Sequence, residues 1–179
     1  KEDDETHKIP TISVDYFFLG VDEEKAQPMI AVKDHKLKVV FAHALPAKGV
    51  TKYGVKAVTE DIHCLGYRRL ILKSDNEPAL LAHKAEVKKE LGQTVEVVFQ
   101  EVAVGDHAAN GHAESAVREI QKQSRVLKAC LEARLKTKLR PNHPLLAWIP
   151  QHAAALLTRF SIGPDGKTAY QRNYGKMYR

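Results

Sequence analysis

The sequence predicts a single α/β domain with a five-stranded mixed sheet, three antiparallel strands followed by two parallel ones, and helices on both faces. Three short β-branched and aromatic runs, joined by turn-like connections, open the domain. Helical periodicity then alternates with two further apolar runs, as in parallel strands linked by helices. The 179 residues, 44% hydrophobic and 28% charged, suit one globular domain and exclude wholesale disorder.

The three antiparallel strands are expected at the start of the domain. Their runs lie at 11–19, 28–32 and 37–44, and each is rich in residues that favour strands. The connections at 20–27 and 33–36 are short and turn-like. Short connections between such runs favour an antiparallel meander.

Two helix–strand units follow the meander. Residues 51–65 show a helical period of 3.6 residues that begins at a Thr cap and ends before Gly66. A strand is predicted at 69–74, a helix with proline in its first turn at 78–91, and a fifth strand at 95–102.

The C-terminal part of the domain is predicted to be helical. Small or apolar residues recur at 113, 117, 120, 124, 127, 131 and 135, which indicates one long helix with an unbroken buried seam. Prolines interrupt the chain after it, and a last helix is expected at about 145–160, with Pro150 in its first turn or at a kink. This order of elements is that of an RNase H-like domain, although a fold alone does not define a function.

Positive charge is concentrated in the predicted long helix. Residues 1–90 hold 15 Lys and Arg and 15 Asp and Glu, whereas residues 91–179 hold 13 and 7. Between Arg118 and Arg140 there are eight basic residues and two acidic ones, an excess of 8 − 2 = 6. Such a run is either a solvated helix face or a surface that binds a polyanion.

Three carboxylates are expected near one edge of the sheet. Asp15 lies in the middle of the first apolar run, where an unpaired carboxylate is costly. Asp75 ends the fourth predicted strand, which is where α/β sheets present functional groups. Glu114 begins the long basic helix. The three meet at one crevice if the first and fourth strands are neighbours.

Carboxylates held together favour a hard cation. At ~4 Å and an effective dielectric near 20, each pair repels by roughly 4 kcal/mol. A set of oxygen ligands without Cys suits Mg²⁺ or Mn²⁺ better than Zn²⁺. Two such ions can activate an attacking oxygen and stabilise the leaving oxygen of a phosphodiester. Helical spacing places Arg118, Gln121 and Arg125 on the same side of the helix as Glu114.

At these residues the sequence resembles the catalytic core of retroviral and retrotransposon integrases, which are D,D,E polynucleotidyl transferases. The gaps between the three acids are 75 − 15 − 1 = 59 and 114 − 75 − 1 = 38 residues. In one departure from the family pattern, Glu77 and Pro78 follow the Asp-Asn pair where many members have Gly. The matching stretches are ISVD (12–15), KSDN (73–76), NGHAES (110–115) and the tail GKTAYQRNYGK (166–176).

The resemblance implies specific roles for these residues. Asp15, Asp75 and Glu114 are the expected metal ligands and catalytic residues, with two Mg²⁺ or Mn²⁺ ions when DNA is bound. The reactions implied are metal-dependent 3′-end processing of element DNA and its joining to target DNA. The expected DNA-binding residues are Asn76, Asn110, Arg118, Gln121, Lys122 and Arg125.

The resemblance also implies an organisation and partners. We expect an N-terminal linker or arm at 1–10, an integrase catalytic core at 11–162 and a C-terminal tail at 163–179. Element ends and target DNA are the expected partners, with a homo-oligomer of the chain, a nuclear location and no membrane. Two alternatives remain open at this point: an RNase H-like hydrolytic nuclease, and a catalytically inactive core that binds nucleic acid.

Overall fold

A mixed five-stranded sheet forms the centre of the structure, a computed structural model that describes residues 9–19, 27–101, 111–140 and 143–179. The strands are β1 (Thr11–Phe17), β2 (Met29–Asp34), β3 (Val40–Ala44), β4 (Arg69–Ser74) and β5 (Glu96–Glu101). Their order in the sheet is β3-β2-β1-β4-β5. The first three strands pair antiparallel, while β4 pairs parallel to both β1 and β5. This arrangement confirms the predicted RNase H-like sheet.

Five helices surround the sheet within the described residues: α1 (Lys52–Leu65), α2 (Pro78–Leu91), α3 (Gly111–Leu135), α4 (Leu145–Phe160) and α5 (Ala169–Tyr174). The side chain of Thr51 caps α1 by accepting from the Gly54 N–H, and Gly66, at φ 72°, ends it in the left-handed conformation. The sequence did not predict α5. None of the described helices is both long and apolar enough to cross a bilayer.

Each face of the sheet carries its own apolar core. Ile12 and Val14 of β1 pack in a cluster with residues of α1 and α2, among them Ile62. Phe17 belongs to a second cluster that includes Ile120 of α3 and residues of α4. Because side chains alternate along a strand, Ser13 and Asp15 lie on the same face as Phe17. The helix α3 therefore covers the face that carries Asp15.

At the connection between β2 and β3, two predicted boundaries were wrong for one local reason. Strand β2 continues to Asp34 instead of ending at 32, and β3 begins at Val40 instead of 37. The Asp34 carboxylate accepts hydrogen bonds from the Leu37 N–H and the Tyr67 hydroxyl, so the residues after Asp34 form a tight turn.

The buried seam predicted along the long helix is also partly wrong. Ala113, Ile120 and Ser124 are buried as expected, but Leu135 is 50% exposed. The second apolar cluster contacts α3 only as far as Leu127. Beyond that point the helix has no apolar surface of the sheet to cover, and Glu132 is its only buried described residue there.

Candidate active site

Asp15 lies on β1, and Asp75 directly follows the neighbouring parallel strand β4. The register of β1 and β4 pairs Ser13 with Lys73. Continuing that register by two residues places Asp15 opposite Asp75, which directly follows β4. Both side chains are half-buried. The sheet order thus confirms the expectation that the first and fourth strands are neighbours.

Glu114 is placed beside them by the direction of α3. At the start of this helix the His112 ring lies 4.1 Å from the His35 ring, and His35 Nε2 is 2.6 Å from Ser13 Oγ. Further along, Gln121 Nε2 donates to the Phe18 carbonyl at 3.0 Å. The helix therefore follows β1 from Ser13 towards Phe18, and Glu114 lies near Asp15 between these two contacts.

Electrostatics link the three acids. The pKa of Asp15 is raised to about 7, first by burial and then by the negative charge of Asp75, with smaller contributions from Glu114 and Glu77. A backbone hydrogen bond at Tyr16 opposes the rise. A carboxyl whose pKa is raised by burial and by like charges is typical of an acidic site that favours a cation. The described structure thus brings the three predicted acids within electrostatic reach of one another.

Glu77 is a fourth acid at this edge. Its backbone N–H donates to Asp75 Oδ1 at 3.2 Å, which makes it part of the turn after β4. Its carboxylate accepts from Lys48 Nζ at 2.9 Å. The same ammonium lies 5.5 Å from the Tyr16 ring centroid and 5.3 Å from that of Phe18. One cation is therefore already placed at the margin of the acidic cluster.

A buried lysine supports the turn at Asp75. The Ser74 hydroxyl donates to the Asp75 carbonyl at 2.7 Å, and Lys84 Nζ donates to the same hydroxyl at 3.0 Å. Lys84 is only 2% exposed, and its ammonium lies 5.1 Å from the Phe99 ring centroid. Sequence reasoning missed both Lys84 and Lys48, because neither belongs to a motif and each acts through a contact distant in sequence.

The predicted DNA-binding residues differ in their surroundings. Arg118, Lys122 and Arg125 are exposed along α3. Gln121 is half-buried and its amide is bonded to β1, so it holds the helix on the sheet. Asn76 is exposed after Asp75, and Asn110 lies outside the described residues. Contact of these side chains with DNA stays a prediction.

The three acids are of the ligand type that a hard divalent cation prefers, but they are not positioned to coordinate one ion together. Carboxylate oxygens are the ligands that Mg²⁺ and Mn²⁺ prefer. In the described part of the chain, no three Asp, Glu, His or Cys side chains are placed so that they could hold one metal ion. Glu114 is exposed, whereas the two Asp are half-buried. Binding of one metal ion by all three acids thus requires their carboxylates to come closer together than they are placed here.

Taken together, these features define an RNase H-like α/β domain with an acidic edge beside a basic helix. The chain has the fold of a retroviral integrase catalytic core, as three comparisons with solved structures show. For the HTLV-2 integrase core in complex with magnesium, the trimeric form gives a TM-score of 0.65 at 17% identity, covering 92% of this chain and 95% of that chain. Its dimeric form gives 0.65 at 17% identity, with coverage of 93% and 98%.

The integrase core of BIV is similar to a comparable extent. Its TM-score is 0.59 at 17% identity, covering 92% of this chain and 93% of that chain. No family model matches the sequence, and no curated protein matches it. At this level of identity the likeness concerns the fold, and it confirms the fold that the sequence motifs implied.

Proposed function

We propose that the chain is the catalytic core of an integrase-type DNA strand transferase, which processes the 3′ ends of element DNA and joins them to target DNA. One observation carries this proposal: in an integrase-core fold, Asp15 of β1 lies beside the end of the neighbouring strand β4, which Asp75 directly follows, and Glu114 begins the helix that covers the face bearing Asp15. The same placement accounts for the repulsion felt by the Asp15 carboxyl.

Asp15, Asp75 and Glu114 are the residues that would hold Mg²⁺ or Mn²⁺, as two ions when DNA is bound. The ions would supply Lewis-acid stabilisation of the charge that develops on the phosphodiester oxygens. The HTLV-2 core is described as a complex with magnesium, which supports a divalent ion here. Asp15 and Asp75 would supply fixed ligands on the sheet, and Glu114 would approach from the first turn of α3.

The remaining residues would bind and orient the nucleic acid. Arg118, Lys122 and Arg125 extend from Glu114 along one exposed helix and would contact successive phosphates. Lys84 and Ser74 would hold the turn that carries Asp75 in a fixed position. The nucleophile would be water during end processing and the 3′-hydroxyl of the processed end during joining.

One observation favours a catalytically inactive core that binds nucleic acid. Across the described ranges, no three potential ligands stand in positions that could hold a metal ion. An inactive core would keep the basic helix and the fold, but it would not need Glu114 to reach the two Asp. This second candidate predicts DNA binding that is independent of divalent ions.

Strand joining on paired oligonucleotides with Mg²⁺ or Mn²⁺ separates the candidates. We expect Asp75→Asn and Glu114→Gln each to lower the joining rate at least about 100-fold, because each removes a charged metal ligand. Glu60→Gln, on an exposed face of α1, is the matched control and should retain the wild-type rate.

Equal thermal stability of the two site variants would show that the loss is chemical. Joining at wild-type rates by both variants would overturn the proposed role of these acids, whereas no joining by the wild-type chain, with DNA still bound in EDTA, would favour the inactive core. Cleavage without joining would instead indicate the hydrolytic nuclease.

The partners and location follow from the same proposal. Element ends and target DNA are the proposed nucleic-acid partners. The HTLV-2 core is described in a dimeric and a trimeric form, which supports a homo-oligomer of this chain. A nuclear location and an origin in a retrotransposon polyprotein belong to the proposal as well.

A further inference from the structure

A basic cavity lies beside the turn that joins β2 and β3. Its volume is about 450 Å³, and its walls come from this turn, from α3, from the end of α4 and from the segment around α5. Lys33, Lys36, Lys38 and Arg172 line it, together with the carboxylates of Glu119 and Asp165. The proposed chemistry uses none of these residues.

Lys33 lies near the end of β2, Lys36 and Lys38 lie in the turn that follows, and this part of the backbone is held rigidly. Asp34, which is fully buried, accepts from the Leu37 N–H and from the Tyr67 hydroxyl, the latter at 3.2 Å. The Asp34 N–H donates to the Val39 carbonyl at 3.0 Å. Arg172 Nη1 donates to the Leu37 carbonyl at 3.3 Å and so ties the turn to α5. The lysine backbone is thus pre-organised, which reduces the entropy cost of binding a ligand.

The charges that line the cavity do not balance. Arg172 and Asp165 neutralise each other in a two-pronged ion pair in which Nε donates to Oδ2 at 2.9 Å. This leaves Lys33, Lys36 and Lys38 facing the single carboxylate of Glu119. Lys33 donates to the Lys38 carbonyl at 3.3 Å, which uses one of its three hydrogens. An anion in the cavity would therefore contact a surface of net positive charge, and the Lys33 ammonium would still have two hydrogens available to donate to it.

The excess of positive charge extends beyond the cavity. Lys73 and His112 lie on the same side of the sheet, and with Lys33 and Lys38 they act on His35. Burial and these neighbours lower the pKa of His35 to about 4. The nearest acid in sequence, Asp34, is buried and already bonded to its turn. The whole area is therefore electropositive.

We propose that this cavity is a phosphate-binding site, with Lys33, Lys36 and Lys38 as its cationic donors. A phosphate group matches the site because it offers several acceptor oxygens to the ammonium groups that line the cavity from β2 and from the turn after it. The phosphate belongs either to a nucleic-acid backbone or to a free polyphosphate compound. The proposal goes beyond strand transfer, since none of the three catalytic acids lines the cavity.

Calorimetric titration with sodium tripolyphosphate, in the presence of EDTA, tests the site without any catalysis. The variant Lys36→Gln with Lys38→Asn removes two cationic donors, and Asn tolerates the left-handed conformation of Lys38 at φ 66°. We expect it to bind tripolyphosphate about tenfold more weakly. The matched control, Lys52→Gln with Lys56→Gln, removes the same charge from exposed positions of α1 and should bind within about twofold of wild type.

Two further variants sharpen the outcome. Glu119→Gln removes the opposing carboxylate and should strengthen binding about threefold, a gain that unfolding cannot mimic. Asp75→Asn should bind tripolyphosphate like wild type, so failure of the catalytic proposal leaves this one intact. A parallel titration with a short DNA duplex identifies the source of the phosphate. If the variant Lys36→Gln with Lys38→Asn binds both DNA and tripolyphosphate more weakly, the ligand is a nucleic-acid backbone. If only tripolyphosphate binding is weakened, the ligand is a free polyphosphate compound. No tripolyphosphate binding, or equal binding by the turn variant and its control, would overturn the site.

Discussion

The two faces of the sheet differ in what β1 presents to them. Towards α1 and α2 the strand places Ile12, Val14 and Tyr16, which join a large apolar cluster. Towards α3 it places Ser13 and Asp15 before the chain becomes apolar again at Phe17. Buried apolar area stabilises the first face, at roughly 25 cal/mol per Å². The second face gives up part of that stabilisation to hold ionisable groups between sheet and helix.

The polar face is itself divided into two parts of opposite charge. Around Asp15 the acting charges are those of Asp75, Glu114 and Glu77. Two residues back along β1, Ser13 contacts His35, which lies among lysines. Acidic and basic groups thus adjoin along one strand. Such an arrangement suits a ligand that is itself charged, such as a phosphodiester held through a metal ion at one end and through ammonium groups at the other.

The largest contrast between the faces is expected from two adjacent residues of β4. Leu72 is fully buried in the cluster under α1 and α2, whereas Lys73 points to the polar face and is half-buried. Leu72→Ala should lower the free energy of unfolding by about 3 kcal/mol, through lost transfer energy and a residual cavity. Lys73→Ala should change it by less than about 0.5 kcal/mol. Urea denaturation measures both free energies of unfolding. Equal losses in the two variants would contradict the view that the apolar face contributes most of the stability.

The ionisation of Asp15 gives a smaller effect that depends on pH. Its pKa is raised from 3.8 to about 7 in the folded chain, so folding favours the protonated form. The associated stability is present below about pH 4 and is lost as the pH rises through 7. A shift of three units corresponds to about 4 kcal/mol, and partial exposure reduces this to about 1 to 2 kcal/mol.

Asp15→Asn should therefore stabilise the chain at pH 8 in EDTA and leave it nearly unchanged at pH 4. Denaturation of both proteins at the two pH values measures the difference. Glu60→Gln, which removes a carboxylate from an exposed position of α1, is the control for the change of charge. A variant less stable than wild type at pH 8 would show that burial and the neighbouring acids do not destabilise the Asp15 carboxylate.

Local patterns in the sequence were sufficient to predict most of the fold. The strand at 69–74 and the helices at 78–91 and 145–160 have the predicted boundaries. These segments combine a clear period with flanking Pro or Gly, which mark their ends. The six residues of α5 are too few for a period to emerge. The sequence nevertheless contained a signal for the start of this helix, because Thr168 and Gln171 have the spacing of a capping box.

The site was predictable only in part. Asp15, Asp75 and Glu114 could be selected from their positions. Asp15 lies in an apolar strand, where an unpaired carboxylate is costly, and the other two lie at the ends of elements, where functional groups are often found. The pairs Lys48 with Glu77 and Lys84 with Ser74 join residues from different elements. The basic cavity likewise forms only when residues 33–38, at the end of β2 and in the turn after it, meet α3 and the segment around α5. Such groupings depend on tertiary contacts that no local pattern encodes.

The smallest expected effect concerns α5, the helix that contacts both the apolar cluster of the first face and the basic cavity. Its first residue, Ala169, is buried with the apolar cluster of the first face, while Arg172 lines the basic cavity beside the second. Thr168 caps the helix: its hydroxyl accepts from the Gln171 N–H at 3.1 Å, and Gln171 Oε1 accepts from the Thr168 N–H at 2.8 Å.

Removing this cap should loosen α5 without removing a side chain that lines the cavity or belongs to the acidic site. Thr168→Ala should lower the free energy of unfolding by about 1 kcal/mol, and Thr168→Ser, which keeps the hydroxyl, should restore most of it. Because Arg172 ties the β2–β3 turn to α5, Thr168→Ala should also weaken tripolyphosphate binding, by about twofold. The joining rate should stay at the wild-type value, since α5 contributes none of the three acids. A loss of joining equal to the loss of tripolyphosphate binding would show instead that the acidic edge and the basic cavity act as one site.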